Sequence, residues 1–309
     1  MTRGVRNTAK LGLRGLFEVG QRLGVNVLPR HFYSATPDIA ALKRSRHWRE
    51  PFDMVGVAGA DVGSQIAFLE DLCPPRLVRQ WPELNVHGTA DRENRQGGGY
   101  GVIEAEVLHA FVRRRRPRRI VQVGCGLSTA VILRAAVLAD CSPALVCVDP
   151  HPSVFLVRAA ADGRLMLHAQ GGERVARDVL TTLGAGDLLF VDSTHAVKPG
   201  SEVNRIVLDV LPRLPGGVFV HFHDIYFPYD YQRGIASDEL FFAVESTLLH
   251  AFLVGNARCR IALSLSMLHY AAPEAIAASM PHYRPQANAD GLGVGGGGHF
   301  PSATYLLTE

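Results

Sequence analysis

Two short polar groups interrupt otherwise apolar stretches of this chain: Asp192-Ser-Thr-His195, directly after Asp187–Val191, and His223-Asp224, directly after Val218–Phe222. An imidazole with a carboxylate beside it can take a proton from a hydroxyl, which speeds such a step by roughly 10²–10⁴-fold. Two carboxylates with imidazole help can also hold a hard divalent ion such as Mg²⁺ or Mn²⁺, which lowers a hydroxyl's pKa and fixes its position. The pattern therefore nominates His195, Asp192 and His223 as catalytic residues. Asp192, Asp224 and His223 are the candidate ligands of a divalent cation. His221, inside an apolar run, reads as a core histidine.

These groups work together only if their apolar runs are neighbouring parallel strands, because such strands present their carboxyl ends on one edge, where open α/β sheets bind ligands. The rest of the chain supplies such a sheet. An apolar run up to Val123, the turn Gly124-Cys125-Gly126, a helix, and the run Ala144–Val148 closed by Asp149 make a βαβ unit able to hold an adenosine. Glycine permits close backbone approach, the helix N-terminus offers free N–H groups, and Asp149 can accept bonds from ribose hydroxyls. The dinucleotide fingerprint wants a third glycine where Thr129 stands, so the pattern favours S-adenosylmethionine, which has no pyrophosphate. Gly124, Cys125, Gly126, Ser128, Asp149 and Asp192 are cofactor-binding candidates. Gln170, after a third strand at Arg164–Ala169, and Tyr100, ending the loop Asn94–Tyr100, join them.

Further strand-like runs at Arg260–Leu268 and Ser302–Leu307 bring the total to seven. A Gly-rich loop, 291–298, joins these two with no clear helix between them, which predicts a hairpin. The expected fold is α/β: a Rossmann-like, doubly wound sheet of seven strands, five parallel plus a C-terminal antiparallel hairpin. Residues 1–100 read as a helical N-terminal extension that caps the site, and 101–309 as the catalytic domain. This is the plan of class I methyltransferases, not of dehydrogenases.

From about Ser34 onward the chain resembles class I S-adenosylmethionine-dependent methyltransferases of the "family 24" group. The segments that carry the resemblance are Val123-Gly-Cys-Gly-Leu-Ser-Thr129, Val191-Asp-Ser-Thr-His-Ala-Val-Lys-Pro-Gly-Ser-Glu-Val-Asn204 and Val220-His-Phe-His-Asp-Ile-Tyr-Phe-Pro-Tyr-Asp-Tyr231. The resemblance implies the fold and the cofactor, with diverse acceptors. It departs at Gln122, where the family pattern usually has Glu or Asp supporting the cofactor loop. The strand ends are also similar to those of catechol-type O-methyltransferases, which carry Asp, two residues and a Lys base after the fourth strand and Asp-Asn after the fifth. His195 falls at the base position, and Ile225 replaces the Asn. The implied activity is methylation of a small hydroxylated acceptor, sugar-like or natural-product-like, with divalent-metal assistance left open. Two alternatives stay open: a metal-dependent hydroxylase-like enzyme on the same fold, as in cephalosporin hydroxylases, and a catalytically weak cofactor-binding partner protein.

With 47% hydrophobic and 20% charged residues in 309, the chain has the composition of an ordinary soluble protein with a large core. No apolar run approaches the roughly 20 residues of a membrane span. The five cysteines show no metal spacing and read as reduced thiols of a cytoplasmic protein. A net charge of +3 does not suggest a nucleic-acid partner. The run Arg113–Arg119 closes a helix patterned by Val107, Leu108, Phe111 and Val112, where cations suit the dipole. Basic residues alternate with Leu11, Leu13, Leu16 and Phe17 near the N-terminus. This reads as a surface helix, with membrane-surface or partner docking as the alternative. Homo-oligomerisation stays open.

Overall fold

The computed structural model describes residues 3–95, 99–235, 242–286 and 297–309, with side chains from Gly12 onward. Two compact units are present, Met1–Ser45 and Arg46–Glu309. The division falls at residue 45 and not at the expected 100. The physical reason is burial: Leu69, Leu72, Trp81 and Ala90 share one apolar core with the helix Val102–Arg115 and with the sheet. Residues 46–100 thus belong to the same folded body as the strands.

The larger unit is built on seven strands: β1 (Arg119–Val123), β2 (Ala144–Val148), β3 (Met166–His168), β4 (Leu188–Val191), β5 (Phe219–Phe222), β6 (Cys259–Ser264) and β7 (Thr304–Thr308). Their order across the sheet is β3-β2-β1-β4-β5-β7-β6. The first five are parallel, and β7 runs antiparallel to both β5 and β6. The four buried residues of β4, Leu-Leu-Phe-Val, show why this stretch reads as a continuous apolar run: it is covered on both faces. The predicted fold class is observed.

The last two strands are paired as expected, yet they are not joined by a simple loop. Helices Leu265–Ala271 and Pro273–Ser279 stand between them. Leu265 through His269 are all buried, so the apolar run continues past the end of β6 without a change of period that would mark the switch. Most of the Gly-rich loop, like Gln96–Gly98, lies outside the described residues. A helix at Glu245–Leu253 precedes β6.

The arginine run is used inside the fold. Arg114 donates to the backbone carbonyl and carboxylate of Asp71, Arg115 to the same carboxylate, and Arg113 to Gln80. All five cysteines are free thiols.

Candidate functional site

Register aligns the site. Val123 of β1 pairs with Val148 of β2 and Val191 of β4, and Val191 pairs with Phe222 of β5. The next residues, Gly124, Asp149, Asp192 and His223, therefore emerge together at the carboxyl edge. Gly124 lies at φ +79, and a Cβ there would overlap the carbonyl oxygen of Asp192. Only glycine lets the ends of β1 and β4 come this close.

On the β1–β2 side, Asp149 accepts the backbone N–H of Cys125 at 3.0 Å through one oxygen and that of His151 at 2.7 Å through the other. A carboxylate offers about four lone-pair positions, so each oxygen keeps one for a further donor. Gln122, fully buried, takes over the supporting role of the family's acid. Its amide donates to Ser128 Oγ at 2.7 Å and accepts from Thr129 Oγ1 at 2.8 Å, while Thr129 Oγ1 accepts from Gly126 N at 3.1 Å. Thr129, which breaks the dinucleotide fingerprint, is the staple that closes this loop. The Ser128 hydroxyl is committed to the same network. Gln170 follows β3, half-buried at the same edge.

On the β4–β5 side, four of the sequence-predicted residues converge. His195 Nε2 lies 3.5 Å from Asp192 Oδ1 and 3.7 Å from Asp224 Oδ2. His223 Nδ1 lies 3.3 Å from Asp192 Oδ1 and 3.7 Å from Asp224 Oδ1. His195 and Asp224 sit at φ +56 and +54, left-handed conformations that cost non-glycine residues roughly 1–2 kcal/mol each. Such strain persists where surrounding bonds impose it, and it clusters at functional sites. Here those bonds are visible. Glu202 Oε1 accepts Thr194 N at 2.8 Å, and Asn204 Nδ2 donates to the Lys198 carbonyl at 3.0 Å. The long motif after β4 is thus the scaffold of the His195 loop.

Two acids absent from the sequence reading complete the cluster. Glu245 Oε2 lies 2.7 Å from His195 Nδ1, and both side chains are buried. Glu104, on the helix Val102–Arg115, places Oε1 4.0 Å from His223 Nε2 and accepts the N–H of Ser302, whose hydroxyl donates to Asp224 at 2.9 Å. Glu245 follows β4 by more than fifty residues with no motif around it, so nothing in the sequence links it to His195. Glu104 does carry a local sign: a Cβ on Gly101 would overlap its carboxylate.

Tyr100 has a different place from the one expected. Its hydroxyl bonds His221 Nε2 at 3.1 Å and the Glu104 carbonyl at 3.3 Å, and its ring packs 4.8 Å from that of His223. It braces these histidines from the buried side. His221 stacks on Phe190 at 4.2 Å and is held neutral, its pKa driven down to about 3 by burial and by the His223 charge.

Burial opposes charge on His195 and His223, but the surrounding carboxylates prevail. They raise His195 to about 10, chiefly through Asp192 and Glu245, and His223 to about 9, chiefly through Asp192 and Asp224. Asp192 is held far below the usual carboxylate range: the imidazoles outweigh the burial that would raise it. A folded-state pKa above the unfolded value of about 6.5 stabilises the protein fully below that value and progressively less as pH climbs through the folded pKa. The melting temperature is therefore expected to fall between pH 7 and 10. His223→Gln should flatten that decline; an unaltered slope would show that the imidazole–carboxylate cluster is not its source.

A divalent ion needs its ligands at about 2.0–2.6 Å from one point. Among the described residues no group of three or more His, Cys, Asp or Glu side chains is disposed to hold a metal ion.

Residues 121–225, from β1 through Ile225, match a family model described as a methyltransferase domain, so 105 of the 309 residues carry the resemblance noted in the sequence. Over this segment the chain is similar to methyltransferase domains of the family 24 type. An uncharacterized protein of Archaeoglobus fulgidus is 26% identical over 145 residues, 45% of this chain. The chain spans 65% of the length of that curated relative. Among solved structures, the S-adenosylhomocysteine-bound methyltransferase PaMTH1 of Podospora anserina is 17% identical at a TM-score of 0.40, over 79% of this chain and 93% of that one. A putative O-methyltransferase from Klebsiella pneumoniae is 16% identical at a TM-score of 0.42, over 80% and 96% of the two chains.

Proposed function

We propose that the protein transfers a methyl group from S-adenosylmethionine to a hydroxyl of a small acceptor, with His195 as the base. One observation carries this reading: register sets the ribose-type acid Asp149 and the Gly124–Gly126 turn on the same sheet edge as a buried imidazole ringed by carboxylates. The cofactor would supply an electrophilic methyl on a sulfonium, so the protein's task is alignment and removal of one proton. Asp149 would hold the ribose. Glu245 fixes the His195 ring through Nδ1, which leaves Nε2 directed between Asp192 and Asp224 to take the acceptor's proton. The depressed pKa of Asp192 keeps it ionised beside the developing imidazolium.

Of the alternatives, the hydroxylase-like enzyme requires a redox metal, for which no group of three or more His, Cys, Asp or Glu side chains is disposed among the described residues. The weak-binder reading rested on Gln122, whose two hydrogen bonds keep the loop closed without the family's acid. His195 acts in its neutral form, and its raised pKa makes that form scarce at pH 7. Turnover is therefore expected to climb with pH toward about 10 before levelling. The experiment is a screen of hydroxylated acceptors with methyl-labelled S-adenosylmethionine, run with EDTA and with Mg²⁺. Labelled methyl ether formed equally in both is the expected result. Product only with Mg²⁺, or only on nitrogen, would overturn the reading.

A further inference from the structure

The unit Met1–Ser45 has a surface unlike the rest of the chain. Among the described residues, nineteen large apolar side chains are exposed, and nine of them lie between Leu13 and Tyr33. Phe32 is 94% exposed and Tyr33 85%. Three of the nine lie on the helix Arg3–Arg22 and six follow it. Leu13, Leu16 and Val19, three residues apart, lie along one side and are each about half exposed, while Arg14 and Glu18 pair at 2.9 Å on another. An apolar patch of this kind on a protein surface marks an interaction site.

Charge says what would cover it. Residues 1–45 contain eight Lys or Arg and two Asp or Glu, a balance of +6 in a chain whose total is +3, which leaves −3 for the other 264 residues. Both acids are already engaged, Glu18 by Arg14 and Asp38 by Arg30. A basic helix with an exposed apolar side suits the boundary between headgroups and acyl chains of an anionic bilayer. Guanidinium groups lie against lipid phosphates and the apolar side sinks just below them. No helix among the described residues is long and apolar enough to cross a membrane, so the contact would be peripheral. We propose that residues 1–45 dock the protein onto an anionic phospholipid surface, through Leu13, Leu16 and Val19 of the helix and through Phe32 and Tyr33 beyond it.

The test is flotation of the full chain with vesicles of phosphatidylglycerol and phosphatidylcholine in equal parts, and with phosphatidylcholine alone. Binding to the anionic vesicles is expected to exceed binding to the neutral ones at least about tenfold at low salt, and to weaken at high salt as charges are screened. The Leu16→Glu/Val19→Glu double variant should lose at least about tenfold of that binding, with an unchanged melting transition and an unchanged oligomeric state; glutamate suits a helix, so the segment keeps its form. Equal binding to both vesicle types, or undiminished binding by the variant, would overturn the proposal. So would a variant that alters the melting transition or the oligomeric state, since its apolar side would then pack against the rest of the chain or a second copy.

Discussion

Replacing His195 by alanine should lower kcat about 10²–10⁴-fold while S-adenosylhomocysteine binds as before. The ring sits 2.7 Å from Glu245 on one side and near Asp192 and Asp224 on the other, whereas the Asp149 carboxylate bonds the backbone of Cys125 and His151. A group that acts on the proton alone changes the transition state and leaves the cofactor's ground state untouched. Glu245→Gln provides the companion readout. Glu245 helps hold the imidazole charged, so its loss should move the rise of turnover to lower pH while reducing the maximum. A His195→Ala variant with near-normal kcat, or with cofactor affinity lost in parallel, would remove the base assignment.

Gly124→Ala should have the largest structural effect of any single change at this edge. The added methyl would occupy the position of the Asp192 carbonyl oxygen, and the residue would be held at φ +79. The atom it would meet is backbone, directly after a central parallel strand, and not the far end of a flexible side chain. A destabilisation of roughly 4 kcal/mol or more is expected, the range reserved for changes that break packing outright. Gly186→Ala is the control. That residue is also left-handed, at φ +85, but nothing lies within 4 Å of its added methyl. It should lose only about 1–2 kcal/mol of conformational preference. Equal melting temperatures for the two variants would contradict the close approach of β1 and β4.

These two cases mark what the sequence makes legible. Where chemistry sits at the end of an apolar run, as at Asp149, Asp192, His195, His223 and Asp224, strand order and register convert sequence position directly into spatial proximity. Glu104 and Glu245 reach the same cluster from helices that enter through tertiary packing, and no local spacing reports it. Tyr100 shows the converse: its place before the first core helix suggested the cofactor, but its hydroxyl is taken up by His221 and Glu104. The helix Leu265–Ala271 was illegible because burial on every side erases the period that separates helix from strand. Thr129 carried two messages, of which only the exclusion of a dinucleotide was readable. Its hydroxyl bonds to Gly126 and Gln122 appear only in three dimensions.

The central claim is that the edge formed by Gly124–Gly126 and Asp149 holds S-adenosylmethionine. Isothermal titration of the protein with S-adenosylhomocysteine, repeated with Asp149→Ala, tests it most directly. Saturable binding is predicted, weakened at least about tenfold in the variant, since a hydrogen bond to a charged group contributes about 1.5–3 kcal/mol. Equal affinity in the two proteins, or tight NAD binding in place of S-adenosylhomocysteine, would contradict the account.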